Sequence, residues 1–266
     1  MSAAASPVAV KDDLGRTVEM REPAKRIVAL APFLTELAFS AGVGDRVVGA
    51  SAYSDYPPEA KRLPQVASAA GLSIERLAAL RPDLVLAWKD SIRPEEVERL
   101  ARLGAAVYVA QARSLEDVPR ILGAIGALAG VDTRPVSSRY EAELARLRRE
   151  YAHRAEVPVF LEIWSQPLTT VSGRHPMNEA LAICGARNVF ADLPGVAPEV
   201  SWEALYARDP AAIVGVGSAP TEARFRAQWA AHATLSAVRE GRLLFVSPDR
   251  LQRTTTRTPE GIAELC

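Results

Sequence analysis

Aromatic and polar side chains follow predicted strands at several separate places in the chain. A single buried ring usually belongs to a hydrophobic core, but rings placed just after strands in both halves are more typical of a binding surface. Together they predict a clamp with flat apolar walls and a few hydrogen-bonding groups. The rings are those of Phe33, Tyr53, Tyr56, Trp88 and Trp164, and the polar groups are those of Asp249, Arg250 and Arg253.

Sequence patterns for bond-making chemistry are absent. Gly42 and Gly44 end a predicted helix, which is the wrong context for a dinucleotide-binding loop, and there is no phosphate-binding Walker sequence. Ser172-Gly173 lacks the flanking glycines of a hydrolase nucleophile turn. The three histidines are too far apart to show the spacing of metal ligands. We therefore predict no catalytic residue and no metal site.

Two glutamates occupy equivalent places in the two halves. Glu75 and Glu203 each lie two residues after a serine that can cap a helix, namely Ser73 and Ser201. A carboxylate in the first turn of a helix gains about 0.3–1 kcal/mol from the helix dipole, which explains either residue alone. Their equivalence adds a prediction, since it places one acidic group on each half of the protein.

The elements around these residues alternate between strands and helices, which predicts two parallel-sheet α/β lobes. Residues 73–88 (SIERLAALRPDLVLAW) align without a gap with residues 201–216 (SWEALYARDPAAIVGV), and two weaker echoes follow the same order. Between the halves, apolar residues recur at helical spacing. We therefore predict an N-terminal lobe at 1–132, a rigid backbone helix at 133–156 and a C-terminal lobe at 157–266, with a ligand crevice between the lobes.

Composition excludes several classes of function. The 32 basic and 32 acidic residues balance, so no net charge favours nucleic acid or an anionic membrane. The opening MSAAASPVAV lacks the features of a signal peptide, which leaves a cytosolic protein or a mature exported one. Cys184 and Cys266 are either two buried thiols or one disulfide, and the residues alone do not decide between them.

Four stretches resemble the substrate-binding proteins of bacterial ABC importers for cobalamin and ferric siderophores, and the cobalamin branch in particular. They are LTELAFSAG at 34–42, SAYSDYPP at 51–58, IERLAALRPDLVLAW at 74–88 and the closing residues 264–266. The resemblance runs from about Arg26 to the C-terminus. It implies a class III periplasmic binding protein, in which two Rossmann-like lobes are joined by one rigid helix and a corrinoid binds in the cleft.

The resemblance also assigns roles to individual residues. Tyr53 and Trp88 match ligand contacts, Phe33 a lining position and Trp164 approximately an aromatic one, while Asp249 and Arg253 fall near a polar contact region. Glu75 and Glu203 match the acidic pair that docks onto the membrane permease, and Cys184 and Cys266 match a disulfide. The implied protein is a monomer of the periplasm or extracytoplasmic face that carries a ligand and no cofactor.

Two departures leave the ligand open. Ala69 and Ala197 stand where relatives that grip cobalamin carry tryptophan. The ligand can accordingly be cobalamin, cobinamide, haem or a ferric siderophore, with Arg250, Arg253 or Arg257 available for an anionic one. A third possibility is a two-lobed cytosolic α/β enzyme, for which both cysteines would be free.

Overall fold

The chain forms two compact units, each built on a largely parallel sheet. The structure is a computed structural model that describes residues 7–217 and 219–266. One unit comprises the described residues through Ala112 together with Glu116–Tyr140, and the other comprises Arg113–Leu115 and Glu141–Cys266. The predicted α/β class is confirmed. The predicted lobe boundaries and the predicted crevice stay predictions.

The first unit centres on a six-stranded sheet with the strand order β6-β5-β4-β3-β7-β8 among the described residues. All its neighbouring strands run parallel except the short edge strand β6. Its elements are β1 (Val8–Lys11), β2 (Thr17–Met20), β3 (Ile27–Ala29), α1 (Pro32–Ser40), β4 (Val47–Ser51), β5 (Gln65–Ser68), β6 (Gly71–Leu72), α2 (Ile74–Ala79), β7 (Leu84–Trp88), α3 (Pro94–Arg102), β8 (Ala106–Ala110), α4 (Asp117–Ala129) and the beginning of α5 (Arg134–Tyr151).

The N-terminal hairpin covers the exposed edge of this sheet. Strands β1 and β2 pair antiparallel, as the alternation of residues 7–25 predicts. At the turn, the Asp13 N–H donates to the Val109 carbonyl at 2.9 Å, and the Arg16 guanidinium donates to the Val107 carbonyl at 3.0 Å. The hairpin thereby satisfies hydrogen-bonding groups of edge strand β8 that would otherwise invite pairing with another chain.

Helix α5 spans the boundary between the units, with Tyr140 in the first and Glu141 in the second. Its apolar residues at intervals of three and four predict one buried face, and Tyr140, Leu144 and Leu147 are at most 3% exposed. Arg146 pairs with Glu143 and Glu150 on the opposite face. One face of the helix is therefore buried by apolar packing, and the opposite face carries ion pairs between residues of the helix itself.

The second unit centres on a four-stranded parallel sheet, in the strand order β12-β9-β13-β14 within the described range. Phe160, Leu205, Ile213 and Trp229 are fully buried in its core. Its elements are β9 (Val157–Glu162), β10 (Trp164–Ser165), β11 (Leu168–Thr169), α6 (Pro176–Ile183), β12 (Ala186–Asn188), α7 (Trp202–Arg208), β13 (Ala212–Val216), α8 (Ala219–Ala230), α9 (Ser236–Arg239), β14 (Leu243–Val246), α10 (Pro248–Leu251) and α11 (Thr258–Leu265).

The internal repeat read from the sequence reappears in the topology. The order β4-β3-β7-β8 in the first unit corresponds to β12-β9-β13-β14 in the second. In both units a serine caps the helix before the third of these strands: Ser73 accepts from the Arg76 N–H, and Ser201 accepts from the Ala204 N–H. Gly104 and Gly241, at φ 87° and 68°, both turn the chain into the last strand through a conformation that favours glycine.

Some elements of both units differ from the sequence-based prediction. The apolar run from Val157 to Trp164 predicts one strand, but the strand ends at Glu162, because the Ile163 N–H bonds to the Thr169 carbonyl and starts a separate hairpin. Strands β5 and β6 of the first unit lie where no strand is predicted. Helices α10 and α11 follow β14 and were also not predicted. All of these elements are short and lack a full period of apolar residues.

A disulfide joins Cys184, at the end of α6, to Cys266, the last residue, with Cα atoms 4.9 Å apart. The implied pairing is therefore present in the structure. The two cysteines are 82 residues apart in the sequence, and the bond fixes α11 beside α6. Reduction would release the last helix of the second unit from this constraint.

We predict that a Cys184→Ser/Cys266→Ser variant has a free energy of unfolding lower by about 2–5 kcal/mol, because the unfolded chain regains the entropy of the open loop. Urea unfolding followed by circular dichroism measures the difference. Thiol titration of the denatured, unreduced wild-type protein should detect no free thiol. Two titratable thiols there would show that the bond does not form.

His175 caps helix α6, and its burial lowers its pKa. Its Nδ1 atom accepts from the Met177 N–H at 3.2 Å, so the acceptor nitrogen must be unprotonated. Burial lowers the pKa of His175 from 6.5 to about 4. The folded protein therefore holds fewer protons than the unfolded chain between these values, and stability falls as the pH drops through that window.

Replacing His175 by asparagine should remove this pH dependence and keep the cap, because the Asn side chain is also a good helix cap. Above pH 6.5 the two proteins should have similar free energies of unfolding. Between pH 6.5 and 4 the wild-type value should fall more steeply, by up to about 1.4 kcal/mol per pH unit. Parallel urea-derived stability curves for the two proteins would contradict the assignment.

Candidate functional site

A depression in the first unit lies at the carboxyl ends of its parallel strands. Its volume is about 260 Å³. The strand ends of β3, β4, β5 and β7 supply most of its lining, because parallel strands present these ends at one edge of the sheet. The wall is largely apolar, with three serines and one glutamate among its residues. The lining residues are Leu30, Ala31, Pro32, Ser51, Ala52, Tyr53, Ala67, Ser68, Ala69, Gly71, Leu72, Trp88, Ser91, Ile92 and Glu96.

Two of the predicted ligand rings, Tyr53 and Trp88, meet at this depression. Tyr53 is 77% exposed and Trp88 is 37% exposed, so neither ring belongs to the core. Phe33 does not line the depression but packs edge-to-face against Trp88, with ring centroids 6.2 Å apart and planes at 87°. Such a pair contributes about 0.5–1.5 kcal/mol beyond burial. Phe33 therefore supports the Trp88 ring from behind.

The turn that carries Tyr53 is held by a buried hydroxyl cluster. Tyr53 has a φ of 64°, which a side chain of this size adopts at a cost of about 1–3 kcal/mol. The Ser54 hydroxyl lies 3.0 Å from that of Thr35 and 3.2 Å from that of Ser51. The Ser54 N–H also bonds to the Ser51 carbonyl. These contacts fix the turn and keep the Tyr53 side chain at the surface.

Trp164 lies in the second unit on the hairpin of β10 and β11. The ring is 65% exposed, and its indole N–H donates to the Gln166 carbonyl at 2.9 Å. The polar edge of the ring is therefore satisfied by its own hairpin, and the apolar faces stay available. The sequence places Trp164 at the end of a sheet strand, whereas the structure places it on this separate two-residue ladder.

Asp249 lies in helix α10 and Arg253 shortly after it, and the two form an ion pair with an N–O distance of 3.2 Å. The Arg253 side chain is 16% exposed, and Asp249 is 43% exposed. Arg250 turns away toward Glu260 and Glu264 of α11, at 3.8 and 3.5 Å. Arg250 and Arg253 thus each have a carboxylate neighbour, whereas the Arg257 guanidinium donates to the Asp249 backbone carbonyl at 3.4 Å.

The two predicted docking glutamates are exposed and sit in matching positions on α2 and α7. The Ser73 hydroxyl donates to the Glu75 carboxylate at 3.2 Å. Hydrogen bonds from its own backbone N–H and from the Ser201 hydroxyl lower the pKa of Glu203. Glu203 is therefore ionised at neutral pH, as an exposed glutamate ordinarily is.

Ala69 and Ala197, the two alanines at positions where relatives are expected to carry tryptophan, lie in different units. Ala69 lines the depression beside Ser68, in the turn between β5 and β6. Ala197 lies on an exposed segment of the second unit that runs beside β11, where the Thr170 N–H bonds to the Pro198 carbonyl. The β5–β6 wall of the depression was missed in the sequence, because small residues such as Ala67 and Ala69 give no chemical signal.

A buried carboxylate was also missed. Glu162 is 4% exposed, and a charged residue within the apolar run VFLEIW is the signal that would have found it. Within residues 7–217 and 219–266, no group of three or more His, Cys, Asp or Glu side chains is arranged to hold a metal ion. Over the same described residues, no helix is long and apolar enough to cross a membrane.

Exposed rings at the carboxyl ends of parallel strands in the first unit, together with an exposed ring on a hairpin of the second unit, are typical of a solute-binding protein. The chain belongs to the periplasmic binding protein family, whose family model matches residues 27–249. It is therefore a binding protein and not an enzyme, and the resemblance read from the sequence is confirmed.

The relatives include vitamin B12-binding proteins and a heme-binding protein. A vitamin B12-binding protein of Vibrio cholerae serotype O1 (strain O395) is 33% identical over 249 residues, which cover 92% of this chain and 88% of that protein. The crystal structure of the periplasmic vitamin B12-binding protein BtuF of Vibrio cholerae matches with a TM-score of 0.82 at 33% identity, covering 92% and 96% of the two chains. A periplasmic heme-binding protein from Pseudomonas aeruginosa matches with a TM-score of 0.79 at 26% identity, covering 91% of each.

Proposed function

We propose that this protein captures a corrinoid, cobalamin or cobinamide, on the periplasmic or extracytoplasmic side of the membrane and delivers it to an ABC-type import permease. The observation that carries the proposal is the pair of exposed rings, Tyr53 and Trp88, at the apolar depression of the first unit. The vitamin B12-binding proteins among its relatives support the same ligand class. We infer that the protein acts as a monomer.

The chemistry of the surface fits a corrinoid. A corrin ring is a broad, flat macrocycle with neutral amide side chains, so it needs apolar faces to pack on and hydrogen-bonding groups at its rim. Tyr53 and Trp88 supply the former, and Ser68 and Ser91 supply the latter in the same depression. We propose that Trp164, Asp249 and Arg253 of the second unit contact the ligand as well.

Haem is the second candidate, favoured by the heme-binding relative and by the exposed phenol of Tyr53, a group that can bind iron. Haem also carries two anionic propionates, which call for cations to pair with. Arg253 already pairs with Asp249, and Arg250 with Glu260 and Glu264. Two of the three arginines that could pair with propionates, Arg250 and Arg253, thus already have carboxylate partners, which favours the neutral corrinoid.

The proposal predicts that the purified protein binds cyanocobalamin at one-to-one stoichiometry. After desalting, the protein should still show the visible absorbance of the bound cyanocobalamin. Trp88→Ala should raise the Kd by at least about tenfold, because it removes a central aromatic contact. Isothermal titration calorimetry measures the stoichiometry and the Kd, with hemin as the competing ligand.

Leu103→Ala is the matched control, since Leu103 is an exposed apolar residue of the same unit, 45% exposed, that does not line the depression. Its Kd should equal that of the wild type. A colourless protein with no heat of binding would refute corrinoid capture. Tighter binding of hemin than of cyanocobalamin would transfer the proposal to haem.

We propose further that Glu75 and Glu203 dock onto the permease. Both are exposed, both follow a capping serine, and each unit contributes one. Exposed carboxylates of this kind attract a cationic surface and set the orientation of a transient complex.

Glu75→Arg and Glu203→Arg should each abolish ligand-dependent ATPase activity of the reconstituted permease and leave the Kd for cyanocobalamin unchanged. Glu98→Arg is the control, because Glu98 is an exposed glutamate of the first unit whose carboxylate pairs with Arg102. A loss of cyanocobalamin affinity in the Glu75 or Glu203 variant would place that carboxylate in the binding site instead.

A further inference from the structure

The carboxylate of Glu162 is buried at the last position of strand β9. It is 4% exposed and follows the fully buried residues Phe160 and Leu161. Burial raises the pKa of Glu162, and hydrogen bonds from Ser165 and Trp229 oppose that rise. A carboxylate is costly to bury unless its oxygens accept hydrogen bonds. Its two donors therefore indicate why a charged residue is tolerated here.

Each oxygen of Glu162 accepts from a different part of the second unit. Oε2 accepts from the indole N–H of Trp229 at 2.7 Å, and Oε1 accepts from the Ser165 hydroxyl at 2.8 Å. Trp229 is fully buried and packs against the rings of Phe160 and Phe225. One oxygen is thus anchored in the core, and the other reaches the β10–β11 hairpin.

The second strand of this hairpin is held by the buried Leu168, whose carbonyl accepts from the Val200 N–H, but the first strand, which carries Trp164, depends on a very short ladder. Strands β10 and β11 pair at only two positions, Trp164 with Thr169 and Ser165 with Leu168. A two-position ladder constrains a ring poorly, and Trp164 is 65% exposed, with little packing to hold it. Ser165 directly follows Trp164, so a bond from Ser165 to the core restrains the backbone that carries the ring.

We propose that Glu162 is a positioning residue that orients the exposed Trp164 ring for the ligand by linking Ser165 of the hairpin to Trp229 of the core. The inference rests on the proposed function, in which Trp164 contacts the corrinoid. Glu162 itself does not touch the ligand. Its effect on affinity must therefore pass through Trp164.

Ser165→Ala is the selective variant, because it cuts the link to the hairpin and leaves the Glu162–Trp229 bond intact. Glu162→Leu would strand the buried indole N–H of Trp229 and destabilise the core. Ser236→Ala is the matched control, since the Ser236 hydroxyl also donates to a carboxylate of the second unit, Asp209, at 2.6 Å.

The first measurement needs no ligand. In protein labelled with 5-fluorotryptophan, the four tryptophans give separate fluorine resonances, and Trp164→Phe assigns one of them. Ser165→Ala should shift or broaden the Trp164 resonance, and Ser236→Ala should leave it unchanged. An unchanged Trp164 resonance in Ser165→Ala would overturn the proposal.

The second measurement is a double-mutant cycle with cyanocobalamin. Ser165→Ala should raise the Kd by about fivefold in the wild-type background and have no effect in a Trp164→Ala background. Glu162→Gln should retain wild-type affinity, because the amide oxygen can accept from Trp229 and the amide nitrogen can donate to Ser165. An equal loss in both backgrounds would show that Glu162 does not act through Trp164.

The two arms separate this inference from the proposed function. If the wild type does not bind cyanocobalamin, the proposed function fails, and the fluorine spectra still decide whether the carboxylate orients Trp164. If the wild type binds and the cycle shows no coupling, the corrinoid proposal stands and the positioning role of Glu162 fails.

Discussion

Parallel pairing of β3 with β4 and β7 brings together side chains that are far apart in the sequence. Because these strands run in one direction, their carboxyl ends share one edge of the sheet, and the chain must leave that edge by a turn or a helix. Residues near 31, 53 and 88 therefore meet around one depression. The turn that carries Tyr53 lies outside the ladder of the sheet, and hydroxyl–hydroxyl hydrogen bonds from Ser54 to Ser51 and Thr35 help to fix it.

The helix–strand units could be predicted from the sequence because the signals in them agree. In 73–88 and 201–216 a capping serine, a two-turn helix, a proline and an apolar strand occur in the same order, and the structure places α2 with β7 and α7 with β13 accordingly. Each signal is local, so no tertiary information is needed to read it. Tyr53 and Trp88 could be found for the same reason, since each follows a strand that is itself easily recognised.

The parts that were missed depend on contacts that the local apolar pattern does not show. Trp164 reads as the end of a strand, because VPVFLEIW is continuously apolar apart from Glu162 and Pro158. Only the bond from the Ile163 N–H to the Thr169 carbonyl turns the chain away from the sheet. The wall formed by Ala67 and Ala69 is likewise invisible locally, since a small residue defines a depression only through the larger neighbours that surround it.

In each unit a carboxylate with several hydrogen-bonding partners fixes a short hairpin. In the first unit Asp13 accepts from the Gln111 N–H at 2.6 Å and pairs with Arg120 at 3.1 Å, which ties the N-terminal hairpin to the end of β8. In the second unit Glu162 links the β10–β11 hairpin to Trp229. Apolar packing alone tolerates small rotations, whereas a buried carboxylate with two donors has one good position. Both units therefore use a carboxylate with two partners to fix a short hairpin on an α/β framework: the half-buried Asp13 in the first unit and the buried Glu162 in the second, where the hairpin carries an exposed ring.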